Sequence, residues 1–243
     1  MSFWESKEYF SILTERLNYT VHNQNSTFFY KTIILNRINS YFIYRIIRKV
    51  LKLQSHTDFC FLVNNAIRKL TSIKILDIGG GIGENYFELQ QLHLKNINYY
   101  VYDSHKLFSQ GHEFRLNNVR KNDLIIHSET IHDYQFEFDL LLLNGSIQYL
   151  EDFKLILDQL KIKPRNIVLD RTLLSFNSFR ATQINDGGHT TKYNVFSEID
   201  LIDKFKLLGY ELIQTGNKRK HQIKFDEQVV IGYYEAMHFR IKL

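Results

Sequence analysis

The stretch ILDIGGGIGENY, Ile75 to Tyr86, sets four glycines in five positions between an apolar run and a helical pattern. Glycine loses more conformational freedom on folding than any other residue, so such a cluster persists where φ must be positive or where something approaches the backbone closely. Lys74 to Ile78 reads as a buried strand and Glu84 to Leu94 as a helix, which puts the glycines at a strand-to-helix turn. The N–H groups left free at such a turn suit a polar or anionic ligand.

From Ile73 onward the chain alternates between strand and helix. Strand-like runs are KILDI (74–78), YYVYD (99–103), DLIIHS (123–128), FDLLLLN (138–144) and NIVLDRT (166–172), with helical segments such as EDFKLILDQL from Glu151 between most of them. Apolar strands separated by helices indicate a parallel sheet covered on both faces. A helix over 198–208 stops at Gly209, and YELIQTG and QVVIGYYEAMHFRIKL then predict a terminal antiparallel pair. Five β/α units with a two-strand finish are expected, in a domain spanning 71–243.

Residues 1–70 read differently, as a helical extension or cap. In Thr32 to Leu53 the residues Ile34, Ile38, Phe42, Ile46 and Val50 form one stripe, with Arg37, Arg48 and Lys52 opposite. No acid lies between Glu15 and Asp58, while seven Lys and Arg residues do, so this segment carries +7 and the remainder sums to −2. The net charge of +5 therefore belongs to one segment, not to the fold. Three readings stay open for the segment: packing on the catalytic domain, peripheral contact with an anionic membrane surface through 32–53, or binding of a phosphate-rich ligand or nucleic acid.

The single cysteine, Cys60, excludes an internal disulfide framework and suits a reducing compartment. The start of the chain lacks a cationic segment followed by an apolar one, and no apolar run reaches the roughly 18 residues that span a bilayer. A cytoplasmic location is expected, with the inner membrane face as the place of any peripheral contact. The ten histidines show no metal-ligand spacing, and neither a nucleophile elbow nor a P-loop is present, so no metal site is expected.

Two cofactor classes use a glycine turn after the first strand of such a sheet. The dinucleotide fingerprint Gly-x-Gly-x-x-Gly fails here, because its third glycine falls on Glu84 in one register and on Tyr86 in the other. The chain instead shows Asp77-x-Gly79-x-Gly81-x-Gly83, and Asp103 closes the second strand. A carboxylate at that place can accept from two ribose hydroxyls in either class.

On these residues the chain resembles the class I S-adenosylmethionine-dependent methyltransferases, whose first motif is an acid followed by Gly-x-Gly-x-Gly. The resemblance covers about residues 70–243. It implies a Rossmann-like, doubly wound α/β fold: a mostly parallel seven-stranded sheet with an antiparallel terminal strand, here with a helical N-terminal extension. It also implies S-adenosylmethionine as cofactor. Asp77, Gly79, Gly80, Gly81 and Gly83 would pass the methionine moiety, Asp77 reaching its amino group directly or indirectly. Asp103, with Ser104 beside it, would hold the ribose, and Asn144-Gly145 would lie near the sulfonium. A closer likeness is to a family of methyltransferases known largely by sequence and often encoded beside genes for bacterial surface polysaccharides. Its pattern is matched in order by LDIGGGIGENY, LNGSIQYLED from Leu143, LDRT from Leu169, and Gln183 ahead of Gly209-Tyr210. That likeness implies a small-molecule or glycan-related acceptor.

In open parallel sheets, ligands bind beyond the carboxyl ends of the strands. Methyl transfer is an in-line displacement, so holding the nucleophile aligned supplies much of the catalysis. A carboxylate acceptor needs no base; an alcohol or ammonium does. Asp170 and His189 are the candidates for that base, Arg171 for a clamp on a carboxylate or phosphate, and Gln148 and Tyr149 for acceptor contacts. The open alternatives are a structural Asp170–Arg171 pair, a plain Asn144-Gly145 turn, a nucleic-acid methyltransferase, an NAD-dependent sugar-modifying enzyme and a non-catalytic binding protein.

Overall fold

The computed structural model describes residues 57–92, 94–103, 119–131, 134, 136–184, 190–225 and 228–242. The basic helix expected over 32–53, and Ser104 and His189, lie outside these residues. The first described element is helix α1 (Thr57–Ile67). It buries Phe59, Leu62, Val63 and Ile67, a helical spacing that gives it one apolar face, which packs against strands β5 (Asn166–Asp170) and β12 (Met237–Ile241).

Strand β1 (Ile73–Ile78) runs into the glycine turn and then helix α2 (Glu84–Leu89), which tightens into a 3-10 turn at Gln90–Leu92. Strands β2 (Ile97–Tyr102), β3 (Leu124–Ser128) and β4 (Leu140–Asn144) follow, then helix α3 (Phe153–Gln159). Helix α4 (Glu198–Leu207) precedes β9 (Tyr210–Thr215). The sequence reads its own helix ends. Asp152 caps α3 by accepting from the Lys154 amide at 2.9 Å, Ser197 caps α4 by accepting from Asp200 at 3.1 Å, and Gly209 leaves α4 at φ 91°.

Seven strands form one sheet in the order β3-β2-β1-β4-β5-β12-β9. All pairs from β3 to β5 are parallel, and β12 is antiparallel to both β5 and β9. Leu76 and Ile78 of β1 point into a core shared with Leu141, Leu143, Leu157, Leu201, Phe205 and Phe239, which covers one face with α3 and α4. Each such side chain contributes about 1.5–3 kcal/mol by leaving water. The alternate residues Ile75 and Asp77 face the other side, where Tyr86 of α2 meets Tyr99 of β2 edge to face at 5.7 Å.

A second sheet departs from the expected fold. Strands β6 (Leu173–Ser175), β7 (Phe179–Ile184) and β8 (Thr190–Ser197) follow β5, while β10 (Arg219–Phe225) and β11 (Gln228–Tyr234) follow β9. They form a five-stranded sheet in the order β10-β11-β6-β8-β7. The terminal run is therefore not one strand. It breaks at Glu235-Ala236, where the Ala236 carbonyl accepts from the Gly216 amide at 2.8 Å, so QVVIGYY pairs back on β10 and only MHFRI enters the main sheet. Met237 pairs with Leu169 and with Thr215. Both insertions thus leave the main sheet at the carboxyl ends of β5 and β9, the edge where ligands of such sheets bind.

Candidate active site

The crowded turn contains glycines that are bare for different reasons. A Cβ on Gly80 would lie 2.4 Å from the Asp77 Oδ2, so that glycine makes room for the protein's own carboxylate. A Cβ on Gly81, at φ 55°, would meet no atom of the described residues within 4 Å, so its outer side is open among them. Its amide donates to the Asp103 Oδ2 at 2.7 Å, which draws the acid ending β2 across the turn. The His127 Nε2 lies 2.7 Å from the Asp103 carbonyl and fixes the same residue from β3.

Asp77 itself is fully buried. It accepts from the Tyr99 hydroxyl at 2.5 Å and from the Asn85 Nδ2 at 3.0 and 3.3 Å. Burial pushes its carboxyl up to about 7, against the pull of those two donors. The Asn85 Oδ1 accepts from the Asn144 Nδ2 at 2.6 Å, and the Asn144 Oδ1 is buried with no hydrogen-bond partner among the described residues. Hydrogen bonds thus run in series from Asp77 through Asn85 to Asn144.

The ends of β4 and β5 are tied by Gln148. Its Nε2 donates to the Gly145 carbonyl at 2.8 Å and to the Arg171 carbonyl at 3.3 Å, while its Oε1 is buried and has no partner among the described residues. Arg171 holds a left-handed backbone at φ 53°, an uncommon conformation for a side chain of that size. Its guanidinium lies 3.8 Å from the Glu88 Oε1. Asp170 is buried and ion-paired with Arg219 of β10, so the structural Asp170–Arg171 pair left open as an alternative to a base role gives way to a partner from the second sheet. A base role for Asp170 would require that pair to open.

The second sheet also clasps the 3-10 turn at Ile147–Tyr149. The Asn194 Nδ2 donates to the Gln148 and Leu150 carbonyls at 3.1 and 3.0 Å. The half-exposed Tyr149 donates to the Gln183 Oε1 at 2.8 Å and meets the Tyr193 ring edge to face at 5.3 Å. The structure thus brings Asp77, Gly79, Gly80, Gly81, Gly83, Asp103, Asn144, Gly145, Gln148, Tyr149, Asp170 and Arg171 to one edge of the sheet. Ser104 and His189 lie outside the described residues.

Sequence reasoning missed Asn85, Tyr99, Arg219 and Asn194. Asn85 lies among buried residues of α2, a burial that only the structure shows. Arg219 had no signal, standing 49 residues from its partner. Among the described residues no group of three or more His, Cys, Asp or Glu is placed to hold a metal ion, and no helix is long and apolar enough to cross a membrane. An open concavity lined by Leu94, Asn96, Arg120 and Asp123 lies at the amino ends of β2 and β3, the opposite edge from this chemistry.

No protein-family model matches the sequence, and no curated protein matches it. Solved structures do match the fold. One is a SAM-dependent methyltransferase of Methanosarcina mazei, 15% identical with a TM-score of 0.53, over 75% of this chain and 97% of that one. Another is the N-terminal domain of EvdMO1, solved in the presence of SAH and D-fucose, 12% identical with a TM-score of 0.53, over 78% of this chain and 84% of that one. A third is a protein of Pyrococcus horikoshii, 16% identical with a TM-score of 0.50, over 82% and 91%. At these identities the likeness establishes the fold, the Rossmann-like α/β arrangement that class I SAM-dependent methyltransferases adopt.

Proposed function

We propose that this chain binds S-adenosylmethionine at the carboxyl ends of β1, β2 and β4 and transfers its methyl group to a small-molecule acceptor. The observation that carries the reading is the side of Gly81 left open among the described residues, beside Asp103, which its own amide fixes, together with an Asn144 oxygen that has no partner among those residues. A bare backbone, a carboxylate for hydroxyls and an acceptor for an ammonium group suit an adenosyl amino acid. The sheet order supports the same class, since the dinucleotide fold runs 3-2-1-4-5-6 without an antiparallel strand inserted beside β5.

Bound there, S-adenosylmethionine would supply a methyl group activated by its sulfonium. The chain's part is placement. Asp103 would orient the ribose, Asn144 the amino group, and Gly145 with Gln148 the neighbourhood of the acceptor. The acceptor would lie between the ends of β4 and β5 and the second sheet, against Tyr149 and Arg171. Asp170 would act there chiefly as the anchor of Arg219, and His189 stays the candidate base for an alcohol acceptor. A glycan-related acceptor, with a place in surface-polysaccharide synthesis, is supported by the family resemblance in the sequence and by the D-fucose present with the EvdMO1 domain.

A thermal-shift comparison tests the reading. S-adenosylhomocysteine at about 100 times its dissociation constant should stabilise the protein by about 2.7 kcal/mol, with NAD giving no shift. Stabilisation by NAD alone would overturn the assignment.

A further inference from the structure

The amides between β1 and β4 have their orientation dictated by a carboxylate. An ionised Asp77 offers only acceptors, so whatever touches it must donate. Asn85 therefore turns its Nδ2 to Asp77 and its Oδ1 away. The Asn144 Nδ2 meets that oxygen at 2.6 Å, which leaves the Asn144 Oδ1 as the free end of the chain, buried and with no partner among the described residues. Which end of an amide is oxygen is decided by such a network, and here each link leaves one choice. The Tyr99 hydroxyl donates to the same carboxylate from β2 and holds it in place.

We infer that Asn85 and Tyr99 are positioning residues that relay the polarity of Asp77 to Asn144, so that the end of β4 presents an acceptor and selects a ligand carrying a hydrogen-bond donor, above all an ammonium group. A carboxylate or phosphate at that point meets a lone pair and is rejected. This rests on the proposed cofactor reading, in which the donor is the amino group of the methionine moiety. Neither residue touches the ligand. Each acts through the orientation of Asn144.

The test compares two ligands that share the adenosine and the sulfur but differ in the amino-acid portion. S-adenosylhomocysteine carries the ammonium group; 5′-methylthioadenosine lacks it. Titration calorimetry is run on the full chain at pH 8, above the region near 7 where Asp77 titrates. Asn85→Leu, with the same branched four-atom side-chain shape and no polarity, should lower the affinity for S-adenosylhomocysteine about 10-fold and leave that for methylthioadenosine within about 2-fold. Tyr99→Phe removes a single hydroxyl and should give the same selective loss at about 3-fold, which keeps the test open if Asn85→Leu does not fold. Equal weakening of both ligands, or no change for either, overturns the relay while the cofactor reading stands. Failure of the unaltered protein to bind either ligand removes the cofactor reading and the relay with it.

Discussion

The two halves of the carboxyl edge are built on different plans. Around β1 and β2 the groups are close in sequence and joined by uncharged donors: Gly81 to Asp103, Asn85 and Tyr99 to Asp77, within 8 to 22 residues of one another. Around β4 and β5 the ties come from far along the chain, from Gln183, Asn194 and Arg219, and one of them is an ion pair with a buried acid. The first half has the form of a socket whose shape is set by backbone and neutral hydrogen bonds, as a ligand common to many proteins requires. The second half is assembled by inserted strands, so its residues can change without disturbing the first. On the proposed reading, cofactor binding and acceptor choice are thereby separable.

The largest test of that separation is Arg219→Met. It strands the buried Asp170 carboxylate without its partner and should cost about 3 kcal/mol in urea unfolding, while S-adenosylhomocysteine affinity stays within about 2-fold. A comparable loss of affinity would show the halves to be coupled. Next in size is Gly80→Ala, whose methyl would drive into Asp77 and should destabilise the fold by about 2 kcal/mol. A neutral result would mean that Asp77 can swing aside and that the polarity it imposes is loose.

A smaller, pH-dependent effect contrasts the socket with the distant β12. Burial raises Asp77 to about 7 and lowers His238 to about 4, the latter with help from Arg240. The Asp77 contribution to stability is fully present below pH about 3.8 and is lost as pH rises through 7. The His238 contribution is present above about 6.5 and is lost as pH falls through 4. Between about pH 4 and 6.5 the two slopes oppose, each about 1.4 kcal/mol per unit, and largely cancel. Chemical unfolding across that window should steepen upward with pH in Asp77→Asn and downward in His238→Gln. Parallel profiles in all three proteins would remove this account.

The same contrast explains what could be read from sequence. The five main parallel strands are apolar runs bounded by turns, and the glycines with Asp77 and Asp103 mark the socket, because their constraints are local. The second sheet was not legible. Its strands FRATQI and RKHQIKF are polar in sequence and carry no apolar run, and their partners are chosen by tertiary pairing. Asp170 was legible as an acid at a strand end and a candidate base, with a pairing to the neighbouring Arg171 only an alternative; its actual partner was hidden, because spacing along the chain cannot reveal an insertion that folds back 49 residues later. In the glycine cluster the count was visible and the division of labour was not: Gly80 clears space for Asp77, and Gly81 leaves space outside among the described residues.

That division gives the most direct measurement. Calorimetric titration of S-adenosylhomocysteine into Gly81→Ala sets a single methyl in the open space, at a backbone strain of about 1 kcal/mol for φ 55°. The account predicts a folded protein, melting a few degrees lower, whose affinity has dropped 10-fold or more. A variant that binds the ligand as tightly as the unaltered chain would show that nothing lies against this turn.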